Sequence, residues 1–237
     1  MDNIKKSDII KKAKAWMRHS LIESHKKNTL KLIDLNEFNV NPFLLNYLGF
    51  FFGGDKKYTT LAKVLLYPRI LGTSITTSFG SQMQKFISDV LNGYGSTTPG
   101  IDLEFTDKID GRYKYAQLKS GPNAINKDDV VSISNHFKAV INRARTNNVS
   151  VMSSDLVFCL LYGEPHEKNS FIKELERDYP VYVGQEFWHR FTGDQGFYRA
   201  LIRAISEVAE EINMKPLVDE VIKKLAVQIE QRYGGIL

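Results

Sequence analysis

A single cysteine, Cys159, stands in 237 residues. One cysteine excludes an intrachain disulfide and a cysteine-based zinc cluster. Its setting, Leu156-Val157-Phe158-Cys159-Leu160-Leu161-Tyr162, is apolar and predicts a buried structural thiol rather than a nucleophile. The five histidines are scattered, with no His-x-x-His or His-x-x-x-His pair, so each reads as a surface or core residue rather than a ligand. No nucleophile elbow is present, and Gly53-Gly54-Asp55-Lys56 lacks the spacing of a phosphate-binding P-loop. Apolar runs stay short of the roughly 18 residues that suggest a membrane span. The lysine-rich start lacks an apolar core followed by a cleavage site, so no signal peptide is expected and the cytoplasm is the expected compartment. There is no internal repeat, low-complexity tract or interdomain linker, which predicts one domain.

What is present fits a well-cored globular chain: 43% hydrophobic and 11% aromatic residues. The net charge is +5. Its distribution is uneven. Lys5, Lys6, Lys11, Lys12, Lys14, Arg18, Lys26, Lys27 and Lys31 crowd the first stretch against Asp2, Asp8 and Glu23. A polyanion such as nucleic acid would explain the excess; a solvated helix face would do so equally.

Periodicity predicts a helix behind a Ser7 cap, with Ile9, Ile10, Ala13, Trp16 and Met17 on one face, then a second helix over about 21–33. Phe43 to Gly54 reads as a buried helix, or a turn and strand. Tyr58 to Leu66 reads as a helix stopped by Pro68. Met83, Phe86, Ile87, Val90 and Leu91 share a helix face. Strands follow. Ile101, Leu103 and Phe105 alternate with Asp102 and Glu104, Asp110-Gly111 marks a hairpin, and Tyr113 to Leu118 form the return strand. A helix over about 127–146 leads to a fully apolar strand, Leu156 to Tyr162, as a central strand covered on both faces would be. A short helix near 171–178, a short strand over Pro180-Val181-Tyr182-Val183-Gly184 and helices from Gly196 to Tyr233, interrupted near Pro216, complete the chain. The expected fold class is mixed α/β: a central mixed sheet flanked by helices, with a helical part over 1–79, a core over 80–195 and C-terminal helices over 196–237.

One constellation carries chemistry. Asp102 and Glu104 are two apart on a strand and leave the same face, as do Gln117 and Lys119 on the next strand. The hairpin makes the strands neighbours, so an acid, an amide oxygen and an ammonium converge. Between the last two, Leu118 turns its side chain inward while its carbonyl can face a metal. A divalent ion beside a lysine is what phosphodiester hydrolysis requires: charge neutralisation and an activated water. Mg²⁺ suits a site with few carboxylates. Ser120, Asn123, Asn126 and Lys127 follow directly and would lie near a phosphate or base edge. Turn and cap chemistry explains Pro122-Asn123 and Asn126 as well.

Pro99-Gly100-Ile101-Asp102 followed by Gln117-Leu118-Lys119 resembles the PD-(D/E)XK nuclease signature. The longer stretches Gly100–Phe105 and Gln117–Asn123, with Val183–Trp188 and Thr192–Asp194, are similar to type II restriction endonucleases that cut interrupted palindromes of the GG…CC kind. The resemblance covers roughly residues 80–200 and implies a restriction-endonuclease-like core in a single nuclease domain. By position it makes Asp102 a metal-binding aspartate and Lys119 the catalytic lysine. Gln117 takes a place usually held by an acid. A second carboxylate would come from Glu104 or from Glu23, and Gln84 sits where related nucleases often place a glutamate. Implied with these are Mg²⁺, with Mn²⁺ as a substitute, double-stranded DNA as partner, and a homodimer on a palindromic, GC-rich site. The N-terminal and C-terminal helices are the candidates for DNA clamp and dimer contact. Two rivals remain: a DNA-binding protein with a degenerate inactive site, and a structure- or modification-dependent nuclease.

Overall fold

The computed structural model describes residues 3–91 and 94–235, the side chains of residues 3–5 and Gln84 excepted. The chain divides into two compact units. One holds the helix Asn3–Trp16 and residues Met83–Ser206, the other Met17–Gln82 and the chain from Glu207.

The first unit is built on a four-stranded sheet in sequential order: β1 (Leu103–Thr106), β2 (Tyr113–Lys119), β3 (Leu156–Leu160) and β4 (Val181–Val183). β1 and β2 form the expected antiparallel hairpin, closed at Gly111 with φ +72°. β2, β3 and β4 are parallel. Every residue of β3 is buried, which explains its unbroken apolar text: helices cover both faces of a central parallel strand.

The helix Lys127–Thr146 turns Val130, Ile133, Phe137 and Val140 onto Phe158, Leu160, Val181 and Val183. On the helix Gln185–Thr192, Phe187 and Phe191 bring their rings to 6.3 and 5.2 Å from Phe105. Two charges are buried here. Asp107, fully enclosed, accepts from Arg190 at 3.0 Å and from Ile109 N–H at 2.8 Å, pinning the hairpin loop to that helix. Lys114 points inward from β2 and is held by Asp110 at 2.7 Å and the Ser154 carbonyl at 3.0 Å. Each is paired, as burial of a charge demands.

The first helix starts at Asn3, ahead of the expected Ser7 cap, so Ser7 lies inside it. Its Trp16 meets Phe86 of the helix Met83–Val90 edge-on at 5.0 Å.

The second unit is helical. Leu61 and Leu66 of the helix Tyr58–Pro68 pack with Val221, Ile222, Leu225 and Ile229 of Lys215–Tyr233. Two expectations are corrected here. Pro68 does not stop its helix: the chain continues through a π-turn, Arg69–Ser74, into the helix Ile75–Ser81. The wider turn accommodates a residue that has no N–H to give. The segment after Asn41 is a helix, Pro42–Gly53, capped by the Asn41 side chain at Phe43 N–H and ended by Gly54 in the left-handed region. It is not buried. Leu45 and Gly49 face the core, while most of its aromatic residues face solvent. No helix among the described residues is long and apolar enough to cross a membrane.

Candidate active site

The turn Thr98-Pro99-Gly100-Ile101 aims Asp102. Ile101 N–H donates to the Thr98 carbonyl at 3.0 Å. Proline is second and glycine third, with Gly100 at φ +79°, as a type II turn requires. Asp102 then pairs with β2: its N–H donates to the Ala116 carbonyl at 2.9 Å, and its Oδ2 accepts from Leu118 N–H at 2.8 Å. Alternate residues of a strand direct their backbone groups to the same neighbour. The Leu118 carbonyl therefore faces the β1 side, as that of Ala116 does, beyond the last paired residue, Leu103.

The register Leu103↔Ala116 sets Asp102 opposite Gln117. Gln117 and Lys119 bond residues of the helix Lys127–Thr146, so this polar face is covered at Gln117, which is only 8% exposed, and half-open at Lys119. The Gln117 amide nitrogen donates to the Gly100 carbonyl and to His136 Nδ1, the latter at 2.7 Å. A carbonyl only accepts, so the Gly100 contact fixes which end of the amide is nitrogen. Both amide hydrogens are then used, which leaves Oε1 without either of these partners. Lys119 Nζ bonds Asp129 Oδ1 at 3.1 Å.

Burial raises the Asp102 carboxyl above its ordinary value, against the Leu118 N–H and the nearby charges of Lys119 and His136. Asp129 is lowered: burial pulls it up, but the Asn126 N–H and Lys119 outweigh that. A carboxylate oxygen, an amide oxygen and a main-chain oxygen are hard donors, the set that Mg²⁺ or Mn²⁺ takes. Asp102, raised by burial and short of full compensation, is the group an added cation would relieve.

The other candidates fall elsewhere. Glu104 is engaged by hydroxyls: Thr98 at 2.8 Å, Tyr113 at 2.9 Å and Ser96. Those donors outweigh burial and lower its pKa. Among the described residues, no three His, Cys, Asp or Glu side chains converge on one point. Glu23 begins the helix Glu23–Lys31 of the second unit, 3.8 Å from Lys26. Gln84 lies in the helix Met83–Val90, with its side chain outside the described residues. Ser120 follows β2, and Asn123 and Lys127 are exposed. Asn126 caps the helix Lys127–Thr146, accepting from Asp128 N–H and Asp129 N–H, while Asp129 returns a bond to Asn126 N–H. Replacing Asn126 with alanine is expected to cost about 1 kcal/mol of stability, measured by urea unfolding.

Two residues of this site escape a reading of spacing on the strands, Asp129 and His136. Asn126-x-x-Asp129 has capping-box spacing, and His136 lies seven residues on, hence on the same side of the helix. That signal locates the pair on a helix, not over β2.

The mixed sheet flanked by helices is consistent with a restriction-endonuclease-like fold. The family described as type II restriction endonuclease EcoO109I matches residues 54–213, well over half of the chain. This protein belongs to that family and is a type II restriction endonuclease, a nuclease of double-stranded DNA. No curated protein matches the chain.

Proposed function

We propose that the chain hydrolyses phosphodiester bonds at a short, GC-rich interrupted palindrome, that it uses Mg²⁺, and that it acts as a homodimer with one strand cut by each copy. The observation that carries this is the meeting of Asp102, the Gln117 amide and the Leu118 backbone at the end of β1, with Lys119 one residue further. Asp102, Gln117 Oε1 and the Leu118 carbonyl are the atoms that would hold the ion. Such an ion, when bound, neutralises phosphate charge and lowers the pKa of a water. Lys119 donates to the phosphate oxygens as negative charge develops, and Asp129 holds the lysine in reach. His136 and the Gly100 carbonyl hold the Gln117 amide by its nitrogen, which fixes the direction of its oxygen.

Plasmid DNA incubated with the protein and Mg²⁺ is expected to give discrete fragments, and EDTA to prevent them. DNA left whole under a range of divalent ions would overturn the reading. Gln117, an uncharged residue at the central position, favours a specific second reading: retarded DNA mobility without cutting would mark a DNA-binding protein with an inactive site.

His136 is a positioning residue in this scheme. His136→Ala is expected to weaken Mn²⁺ binding about tenfold, the low end for groups that orient a ligand. Titration calorimetry of the metal alone reads this, and unchanged affinity would remove the role.

A further inference from the structure

The helix Pro42–Gly53 is apolar on two opposite sides, and among the described residues only one has a partner. Leu45 and Gly49 form the inner stripe, packed toward Leu61, and the Phe52 ring meets Tyr67 at 6.0 Å. The outer stripe holds Phe43, Leu44, Tyr47, Phe50 and Phe51. These recur at spacings of three and four, so they share a face. Phe43 is 92% exposed, Phe51 78% and Tyr47 61%. A helix that is hydrophobic all round is ordinarily a buried one.

We propose that this outer stripe is the surface through which two copies of the chain associate. The inference deepens the homodimer reading above and rests on it for the identity of the partner. Three arguments select a second copy. The first is area. With a large aromatic side chain carrying about 150–250 Å², the exposed parts of the outer stripe offer roughly 650 Å², most of the roughly 800 Å² that each partner contributes to a standard stable interface. The second is charge. No residue from Pro42 to Gly53 is charged, so two identical faces meet across a two-fold axis without like-charge repulsion. An apolar face is its own complement, as an isologous contact requires. The third is the poor fit to a membrane. A helix lying on lipid carries lysine or arginine on a polar face, and this one has neither; at 12 residues it is too short to span. The Tyr47 and Phe51 rings already touch, at 6.0 Å between centroids, so part of the ordering cost of a contact is met before association.

Sedimentation velocity of the full chain, without DNA or metal, tests the proposal. The wild type is expected to run as a dimer. Phe51→Glu would bury a charge at the centre of the contact and is expected to weaken association at least about 100-fold, the loss of a strong hot-spot residue. Ile109→Glu, at an exposed apolar residue of the first unit, is expected to remain dimeric. Hydroxyl-radical labelling of the wild type supplies a measure free of any folding defect: Phe43, Tyr47 and Phe51 are expected to lose reactivity as concentration brings on the dimer. A wild-type monomer at tens of micromolar, a Phe51→Glu dimer of unchanged affinity, or labelling indifferent to association would each overturn it. Cleavage plays no part in these readouts. A chain that dimerises through this helix yet leaves DNA whole sustains the interface while the nuclease reading falls.

Discussion

Asp102→Asn is expected to abolish plasmid cutting while making the metal-free protein melt at a higher temperature. The loss of activity follows from the donor set. Asp102 is the one carboxylate in the proposed metal site, since Gln117 and the Leu118 carbonyl contribute neutral oxygens and Glu104 is engaged by Ser96, Thr98 and Tyr113. Loss of a metal's several kcal/mol of transition-state stabilisation slows cutting on the order of 10⁴-fold. The gain in stability follows from burial. The folded protein raises the Asp102 carboxyl through desolvation, against the Leu118 N–H. A carboxyl whose folded pKa lies above its unfolded value favours folding when protonated, and that advantage is lost as pH rises through the folded pKa. Asparagine keeps an oxygen for the Leu118 N–H and carries no charge. The variant should therefore exceed the wild type most at neutral pH, and the gap should close as pH falls through the raised pKa. Added Mg²⁺ should raise the melting point of the wild type and leave that of the variant nearly unchanged. Thermal melts in EDTA across pH, with plasmid cutting alongside, check both halves. A variant that melts lower at neutral pH would contradict the account of Asp102, and one that still cuts would remove its metal role.

The strands were legible because their signals are local. Period-2 alternation, the Asp110-Gly111 turn and the apolar run at Leu156 are all read within a few residues. They place Asp102, Gln117, Leu118 and Lys119 together without any long-range knowledge. The Pro99-Gly100 pair has a reason besides resemblance, because the type II turn needs both residues where they stand. Gly100 has a second constraint: a Cβ there would collide with the His136 ring.

What the sequence left hidden is what lies over these strands. The helix Lys127–Thr146 was read in full, yet its docking over Gln117 and Lys119 depends on core packing far along the chain, at Phe158 and Val181. His136 and Asp129 therefore could not be assigned to the site. Glu104 shares a strand face with Asp102, as alternation requires, but the hydroxyls that occupy it come from a loop and the partner strand. The burial of Asp107 was invisible for a similar reason. A buried charge is tolerated only beside its partner, and Arg190 is 83 residues from Asp107. The Pro42–Gly53 helix shows the opposite failure. Its composition signals burial, and composition does not say whether the covering surface belongs to the same chain.

Lys119→Ala is expected to slow cutting about 10³-fold while barely changing DNA binding, and the contrast between those two numbers is the test. A lysine that merely contacts a ground-state phosphate contributes equally to binding and to the transition state. Its removal would weaken binding and cutting together and reduce the salt dependence of binding by about one unit. A lysine that meets charge developing at the reacting phosphate acts chiefly on the rate, by about 10²–10³ for a single preorganised donor. The geometry favours the second role. Lys119 follows the Leu118 backbone at the proposed metal position, and its Nζ is already held by Asp129 at 3.1 Å, so little ordering remains to be done when substrate arrives. The protein should tolerate the change. Asp129 retains its bond to Asn126 N–H at 2.9 Å, and a partly exposed ion pair contributes at most about 1 kcal/mol to stability. Single-turnover cutting in Mg²⁺, with DNA affinity measured in EDTA over a range of salt, separates the outcomes. Equal losses in rate and affinity would reduce Lys119 to a phosphate contact, and a wild-type rate would remove it from the site.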